Sequence, residues 1–211
     1  MQRTSITALA LAALLAGAAH AADELAIGAK APDFTLPGVD GKELHLADLV
    51  AKHGDQDGAA AVAVVFTCNE CPFAKAYEPV LLDLAKRYAD ENVQFVLVNS
   101  NDPKIVPGDS FEKMQARAKE KAYPFPYLYD ATQATATAYG ARVTPHVFLF
   151  DRKLELRYRG RVNDSKDPRG DAKTAENHDL VNAIDAVLAG KDVAVSDTKA
   201  FGCSIKWRKQ S

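Results

Sequence analysis

Two cysteines separated by two residues are the feature of this 211-residue sequence whose residue types and spacing most clearly imply chemistry. The run Cys68-Asn69-Glu70-Cys71 lies between an apolar stretch that ends at Phe66 and a helical pattern that begins near Pro72. A thiol at a helix N-terminus is stabilised as the thiolate by the helix dipole and by unpaired amide N–H groups. Because the thiolate is the nucleophile of disulfide exchange, the spacing predicts a dithiol/disulfide centre. We expect Cys68 to attack, and Cys71, further into the helix and more covered, to resolve the mixed disulfide.

A third cysteine, Cys203, lies near the end of the chain beside Phe201, Ile205 and Trp207. Three large apolar side chains so close together rarely all face water, so this segment is expected to dock on the domain surface. The simpler interpretation of Cys203 is a small buried residue with no redox role. The alternative is an auxiliary resolving thiol that forms a disulfide with one of the other two cysteines, which requires Cα atoms within about 7 Å.

The paired thiols also have two structural uses that the sequence leaves open. A CxxC pair can be half of a zinc site, but no second close pair of ligands follows it, so no metal site is predicted. The further ligands would have to come from Cys203 and His45, His53, His146 or His178. The pair could also be an inert disulfide, which its position between a strand and a helix disfavours.

Hydrophobic patterning predicts the elements that position the cysteines. Two short alternating runs around the glycine-bearing turn at 38–41 predict a β-hairpin within 31–46. Continuous apolar runs at 61–66 and 93–98 predict buried strands, and the helical spacing of apolar residues predicts a helix over 72–89. The remaining predictions are helices at 110–121, 133–139 and 177–188, strands at 127–129, 147–150 and 154–158, and a polar loop at 163–175.

This alternation of strands and helices predicts one α/β layered domain with a central, partly parallel sheet. The domain is predicted to span residues 22–190 and to be followed by a tail at 191–211. The net charge of −2 comes from 26 basic and 28 acidic residues of interspersed sign, so no nucleic-acid surface is expected. No later segment is apolar for long enough to span a membrane.

The first 21 residues are predicted to be a secretory signal peptide. Arg3 precedes an Ala- and Leu-rich stretch at 8–19, and Ala19-His20-Ala21 places small residues where a signal peptidase cleaves. The mature protein is therefore expected to be exported to a bacterial periplasm. In that oxidising compartment paired cysteines tend to form disulfides.

The strand, the CxxC motif, the helix and the distant Val143-Thr144-Pro145 together resemble the thioredoxin superfamily. The mature chain is more closely similar to its peroxiredoxin-like, AhpC/TSA-type bacterial redoxins, and the segments that carry this similarity are 68–75, 99–102, 125–130 and 201–207. The resemblance implies a thioredoxin-like fold in which Pro145 follows a cis peptide bond and packs on the active-site sulfurs. It also implies that Thr144 presents its backbone to the substrate.

As a function, this resemblance implies a thiol–disulfide oxidoreductase that acts on protein or small-molecule disulfides without a cofactor. Because Asn69-Glu70 contains no histidine, we expect a reducing couple, nearer the roughly −270 mV of thioredoxin than the roughly −120 mV of DsbA. A reductant in an oxidising compartment must itself be reduced again after each reaction, which implies a membrane-bound electron donor.

Two other functions remain open within the resemblance. A thiol peroxidase would need Ser or Thr three residues before its reactive cysteine and an arginine at Thr144-Pro145, whereas Val65 precedes Cys68 by three. A copper-carrying module would use the two thiols with a distant histidine, for which His146 is the candidate, but copper carriers of the superfamily space their cysteines by three residues.

Overall fold

The computed structural model describes residues 24–51, 58–165 and 174–209. The predicted signal peptide and the centre of the predicted loop at 163–175 lie outside these residues. Within the described part of the chain, no helix has the length and apolar character needed to cross a membrane.

The described elements follow the predicted order, and each predicted strand and helix is present. In chain order they are β1 Thr35–Pro37, β2 Glu43–His45, β3 Ala61–Phe66, α1 Pro72–Arg87, β4 Val93–Asn99, α2 Phe111–Glu120, β5 Tyr127–Tyr129, α3 Ala134–Tyr139, β6 Val143–Thr144, β7 His146–Asp151, β8 Leu156–Gly160, α4 Asp179–Leu188 and β9 Cys203–Ser204, with short 3-10 helices at Leu46–Leu49 and Pro107–Asp109.

A mixed five-stranded sheet in the order β5-β4-β3-β7-β8 forms the centre of the fold. Its middle strand, β3, is parallel to β4 and antiparallel to β7. All six residues of β3 are buried, because elements packed on both faces cover this strand. β1 and β2 form a separate antiparallel hairpin. The predicted α/β class with a partly parallel sheet and an N-terminal hairpin is therefore confirmed.

Each face of the sheet packs against its own apolar cluster. On one face, α1 and α4 contribute residues such as Leu81 and Ile184 to a cluster that also contains Met114 of α2. On the other face, α3 contributes Tyr139 and the tail contributes Ile205. Burial of a single large apolar side chain stabilises the fold by about 1.5–3 kcal/mol, so the tail shares in the stability of the domain.

The strand register brings two distant parts of the sequence to the same end of the sheet. Phe66, the last residue of β3, pairs with His146, the first residue of β7. Cys68 follows Phe66 by two residues, and the cis peptide bond between Thr144 and Pro145 directly precedes His146. The first cysteine and the predicted substrate-facing residue therefore become neighbours.

Two strands that the patterning did not predict, β6 and β9, pair with each other in an antiparallel sheet of two residues each. They are too short to show an alternating pattern in the sequence. Their pairing confirms that the tail docks on the domain. Ile205 is buried and Trp207 is exposed, so only part of the apolar cluster that suggested docking takes part in it.

Candidate active site

The three cysteines lie together in one small cluster with Phe73 and Ala74 at the start of α1. Cys68 and Cys71 are only 5% and 4% exposed, and Cys203 is partly buried against them. α1 begins at Pro72, which makes Cys71 its N-cap residue. The expectation that the second cysteine lies inside the helix is therefore wrong, because Pro72 fixes the first turn directly after it. The two cysteines are buried to nearly the same degree.

Thr144 contacts both sulfurs of the pair. The Sγ of Cys68 lies 3.4 Å from the Thr144 hydroxyl oxygen, and the Cys71 thiol donates a hydrogen bond of 3.1 Å to the Thr144 carbonyl oxygen. The peptide bond from Thr144 to Pro145 is cis, as the resemblance implied. The predicted site residues Cys68, Cys71, Thr144 and Pro145 are thus brought together.

The two thiols of the pair share a hydrogen bond and titrate as a unit. Their mutual hydrogen bond raises the pKa of Cys68 and lowers the pKa of Cys71; burial and the charge of Asp109 raise the Cys68 pKa further. The carbonyl oxygen of Thr144 acts in the opposite direction, because it only accepts hydrogen bonds and so favours a protonated Cys71. Two contacts therefore compete for the position of the single proton that the pair keeps after its first ionisation.

The buried carboxylate of Asp109 holds the two residues between the cysteines. Its Oδ1 accepts hydrogen bonds from the backbone N–H groups of Asn69 at 2.6 Å and Glu70 at 3.2 Å. Its Oδ2 accepts a hydrogen bond of 2.7 Å from the Asn101 side chain. Burial raises the pKa of Asp109, and these three hydrogen bonds oppose that rise. Amide groups that could stabilise a Cys68 thiolate are thus already bonded to a carboxylate.

The Asn69 side chain is fixed as firmly as its backbone. Its Nδ2 donates to the Gly108 carbonyl oxygen at 2.8 Å, and its Oδ1 accepts from the buried Tyr127 hydroxyl at 3.0 Å. No pattern in the sequence predicts Asp109 and Tyr127 as site residues, because they lie about 40 and 58 residues from the motif they support. Only the proximity of Asp109 to the Asn99–Asp102 turn could have indicated it, and that signal is weak.

The tail covers the other side of the pair. β9 places Cys203 opposite Thr144, and the Thr144 hydroxyl lies 3.5 Å from the Cys203 carbonyl oxygen. The Cys203 thiol is in hydrogen-bonding contact with Cys71, and burial followed by this contact raises the pKa of Cys203. The docked tail thus places Cys203, partly buried, beside the other two sulfurs, and both interpretations of its role stay predictions.

Among the described residues, no group of three or more His, Cys, Asp and Glu side chains could hold a metal ion. His146 stacks on Phe148, with ring centroids 4.5 Å apart. Burial, helped by the charges of Arg159 and Arg142, lowers the pKa of His146 to about 4. The geometry therefore gives no support to the zinc and copper hypotheses.

Comparison with known proteins agrees with this architecture. Residues 27–159 match the model of the AhpC/TSA family. The thiol-disulfide oxidoreductase ResA of Geobacillus thermodenitrificans is 29% identical over 133 residues, which are 63% of this chain and 68% of that protein.

Two solved structures are similar over almost the whole chain. An uncharacterized conserved protein of Geobacillus kaustophilus is 40% identical, with a TM-score of 0.79 and coverage of 88% of this chain and 94% of that one. A hypothetical protein of Sinorhizobium meliloti is 37% identical, with a TM-score of 0.80 and coverage of 89% and 98%. Since the family model spans more than half of the sequence, this chain is an oxidoreductase of the thioredoxin superfamily and belongs to the AhpC/TSA family.

Proposed function

We propose that this protein is an exported thiol–disulfide oxidoreductase whose reacting pair is Cys68 and Cys71. The observation that carries the proposal is the contact between two buried thiols at the start of α1, both held against Thr144 beside a cis-proline. The similarity to ResA, which is named a thiol-disulfide oxidoreductase, supports the same chemistry. Its substrates are disulfides of proteins or small molecules.

The reaction consists of two exchange steps. The Cys68 thiolate attacks one sulfur of the substrate disulfide, so that a Cys68–substrate disulfide forms and the other substrate sulfur leaves as a thiolate and takes up a proton. The Cys71 thiolate then attacks the Cys68 sulfur, which releases the second substrate thiol. Two electrons and two protons pass to the substrate, and a Cys68–Cys71 disulfide remains for an external dithiol to reduce.

The hydrogen bonds at Thr144 fit this division of roles. When Cys68 attacks, the shared proton must reside on Cys71, and the Thr144 carbonyl oxygen accepts a hydrogen bond from that protonated thiol. The Thr144 hydroxyl lies within hydrogen-bonding distance of Cys68 and can donate to its thiolate. In the second step Cys71 loses its proton, which the contact with Cys203 and the amide of Ala74 at the helix start favour by lowering the Cys71 pKa.

The Asp109 clamp, by which we mean the hydrogen bonds that its carboxylate accepts from the backbone N–H groups of Asn69 and Glu70, supports a reducing Cys68–Cys71 couple. A strongly oxidising pair needs a well-stabilised thiolate, and here the N–H groups of Asn69 and Glu70 are bonded to Asp109 instead. We therefore propose a potential nearer the roughly −270 mV of thioredoxin than the roughly −120 mV of DsbA. In the periplasm such a pair would be recharged by a membrane-bound electron donor.

Insulin reduction in the presence of a dithiol tests the function. Wild-type protein should accelerate the precipitation of the reduced insulin chain, and Cys68→Ser should return the rate to that of the dithiol alone. A wild-type protein without any acceleration would contradict the proposal. Export is tested separately, by N-terminal sequencing of protein from the periplasmic fraction; the chain should begin at Ala22.

Peroxide reduction is the second candidate, because the AhpC/TSA family model covers residues 27–159. The peroxidase pattern is incomplete, with Val65 in place of Ser or Thr and Thr144 in place of the arginine. Peroxide consumption in the same preparation decides between the two: consumption that exceeds insulin reduction and depends on Cys68 would favour a peroxidase.

A further inference from the structure

We propose that Cys203 is a third redox-active thiol, which exchanges with the Cys68–Cys71 disulfide to form a Cys71–Cys203 disulfide, and that the segment 201–207 thereby serves as an internal substrate of the site. This inference rests on the proposed function, because it requires the Cys68–Cys71 pair to form a disulfide.

The first support is the position of the Cys203 side chain. Cys203 packs on the cluster formed by Cys68, Cys71 and Ala74, and its thiol contacts that of Cys71. Its backbone lies opposite Thr144, the residue that contacts both other sulfurs. A sulfur so placed is already beside the sulfur that it would attack.

The second support is that Cys203 is held in place by contacts of the residues that precede and follow it in the chain. After Cys203 in the chain, the Ile205 N–H donates to the Arg142 carbonyl at 2.9 Å, and the Lys206 N–H donates to the Asn101 side chain at 2.8 Å. Directly before Cys203, Gly202 adopts a φ of +158°, and a Cβ there would collide with the Thr144 carbonyl oxygen. The backbone at Gly202 therefore approaches Thr144 more closely than any other residue type would allow.

The third support is that the tail occupies the edge of β6, the strand that contains Thr144. β9 adds to β6 as an extended peptide adds to an exposed strand, with backbone hydrogen bonds beside a reactive centre. Asn101 holds both Asp109, which clamps the CxxC residues, and Lys206 of the tail. An external peptide could reach the edge of Thr144 only after segment 201–207 has moved away.

The exchange balances without any further reactant. The Cys203 thiolate attacks the Cys71 sulfur, the Cys71–Cys203 bond forms and the Cys68–Cys71 bond breaks. Cys68 leaves as a thiolate and takes up the proton that Cys203 released. No net oxidation occurs: the disulfide moves to the tail, and Cys68 is again a free nucleophile. Because burial raises the pKa of Cys203, the exchange should accelerate as the pH rises.

Disulfide mapping of the full-length protein tests the inference. After oxidation in glutathione buffer, acid quenching and alkylation, trypsin gives peptide 53–75 with both CxxC cysteines and peptide 200–206 with Cys203, and cleavage after Glu70 separates Cys68 from Cys71. We expect a fraction of wild-type protein to carry the Cys71–Cys203 linkage. In Cys68→Ser this linkage should form at least tenfold faster than Cys68–Cys203 forms in Cys71→Ser.

The linkage is read independently of insulin reduction, so the two proposals can fail separately. Wild-type protein that reduces insulin and shows only the Cys68–Cys71 linkage at every pH overturns the role of Cys203 and leaves the proposed function intact. A Cys71–Cys203 linkage in protein that does not reduce insulin supports the internal exchange and overturns the proposed function. The wild-type measurement is decisive even if a serine variant does not fold.

Discussion

The two sides of the dithiol are held by different kinds of structure. On the Asn69-Glu70 side, the fully buried Asp109 of the domain interior accepts two backbone hydrogen bonds. On the Thr144 side, the cover is a two-residue strand from the end of the chain. A side held by the interior can change only if the fold changes, whereas a side covered by a terminal segment can open by local detachment. We therefore expect the first side to tune the thiols and the second to control access to them.

The largest effect on stability is expected from Asp109→Ala, which removes the hydrogen bonds that hold the Asn69-Glu70 side. The substitution leaves three donors without their acceptor, at a cost of about 3–4 kcal/mol in the free energy of unfolding. The freed N–H groups and the loss of the negative charge should lower the Cys68 pKa and raise the reduction potential by about 30 mV for each tenfold change in equilibrium.

Urea unfolding and glutathione titration measure the two effects of this substitution. Asp90→Ala, at an exposed position, is the matched control and should change neither. If the potential of Asp109→Ala equals that of wild type while its stability falls, the carboxylate has only a structural role.

On the Thr144 side, acid should lower the free energy of unfolding through His146, which directly follows the cis-proline. Burial lowers the pKa of His146 to about 4, so between pH 6.5 and 4 the unfolded chain binds a proton that the folded chain does not. Its contribution to stability is complete above about pH 6.5 and is lost as the pH falls, by up to about 3 kcal/mol.

The free energy of unfolding as a function of pH measures this loss. His146→Gln should flatten the curve between pH 6.5 and 4, because the substitution removes the buried titrating group. Equal slopes for wild type and His146→Gln would show that the buried imidazole is not the source of the acid sensitivity.

Gly202→Ala should open the Thr144 side without touching the interior clamp. A Cβ collides with the Thr144 backbone, so the tail should detach, with a loss of about 1–2 kcal/mol and a several-fold faster alkylation of Cys68 and Cys71. The control is Gly190→Ala, which also has a positive φ but has open space around the added Cβ. It should carry only backbone strain, with alkylation at the wild-type rate.

The smallest effect is expected at the surface of the Asn69-Glu70 side. The Lys75–Glu70 ion pair at 3.3 Å joins two half-exposed side chains, and exposed pairs contribute about 0–1 kcal/mol. Lys75→Ala should therefore change insulin reduction by less than about twofold. A larger loss would mean that Glu70 acts on the thiols directly, and the interior clamp would then not be the main control on that side.

Most of the fold follows from apolar patterning, because the sheet strands and longer helices bury a continuous or periodic face. β3 and α1 are examples, and together they place the CxxC motif. Asp109 could not be predicted, since a carboxylate that binds amide groups 40 residues away leaves no periodic signal. The pairing of Thr144 with Cys203 was equally hidden, because two-residue strands carry no alternation.

The most direct test of the account is to identify the cysteine that forms the mixed disulfide with a substrate. Cys71→Ser should accumulate a mixed disulfide at Cys68, because the attack occurs and the resolving sulfur is missing. Mass spectrometry of the trapped species after cleavage at Glu70 locates the bond. Trapping is expected at Cys68 in Cys71→Ser, with little trapping in Cys68→Ser. Trapping at Cys71 in Cys68→Ser, with none in Cys71→Ser, would contradict it.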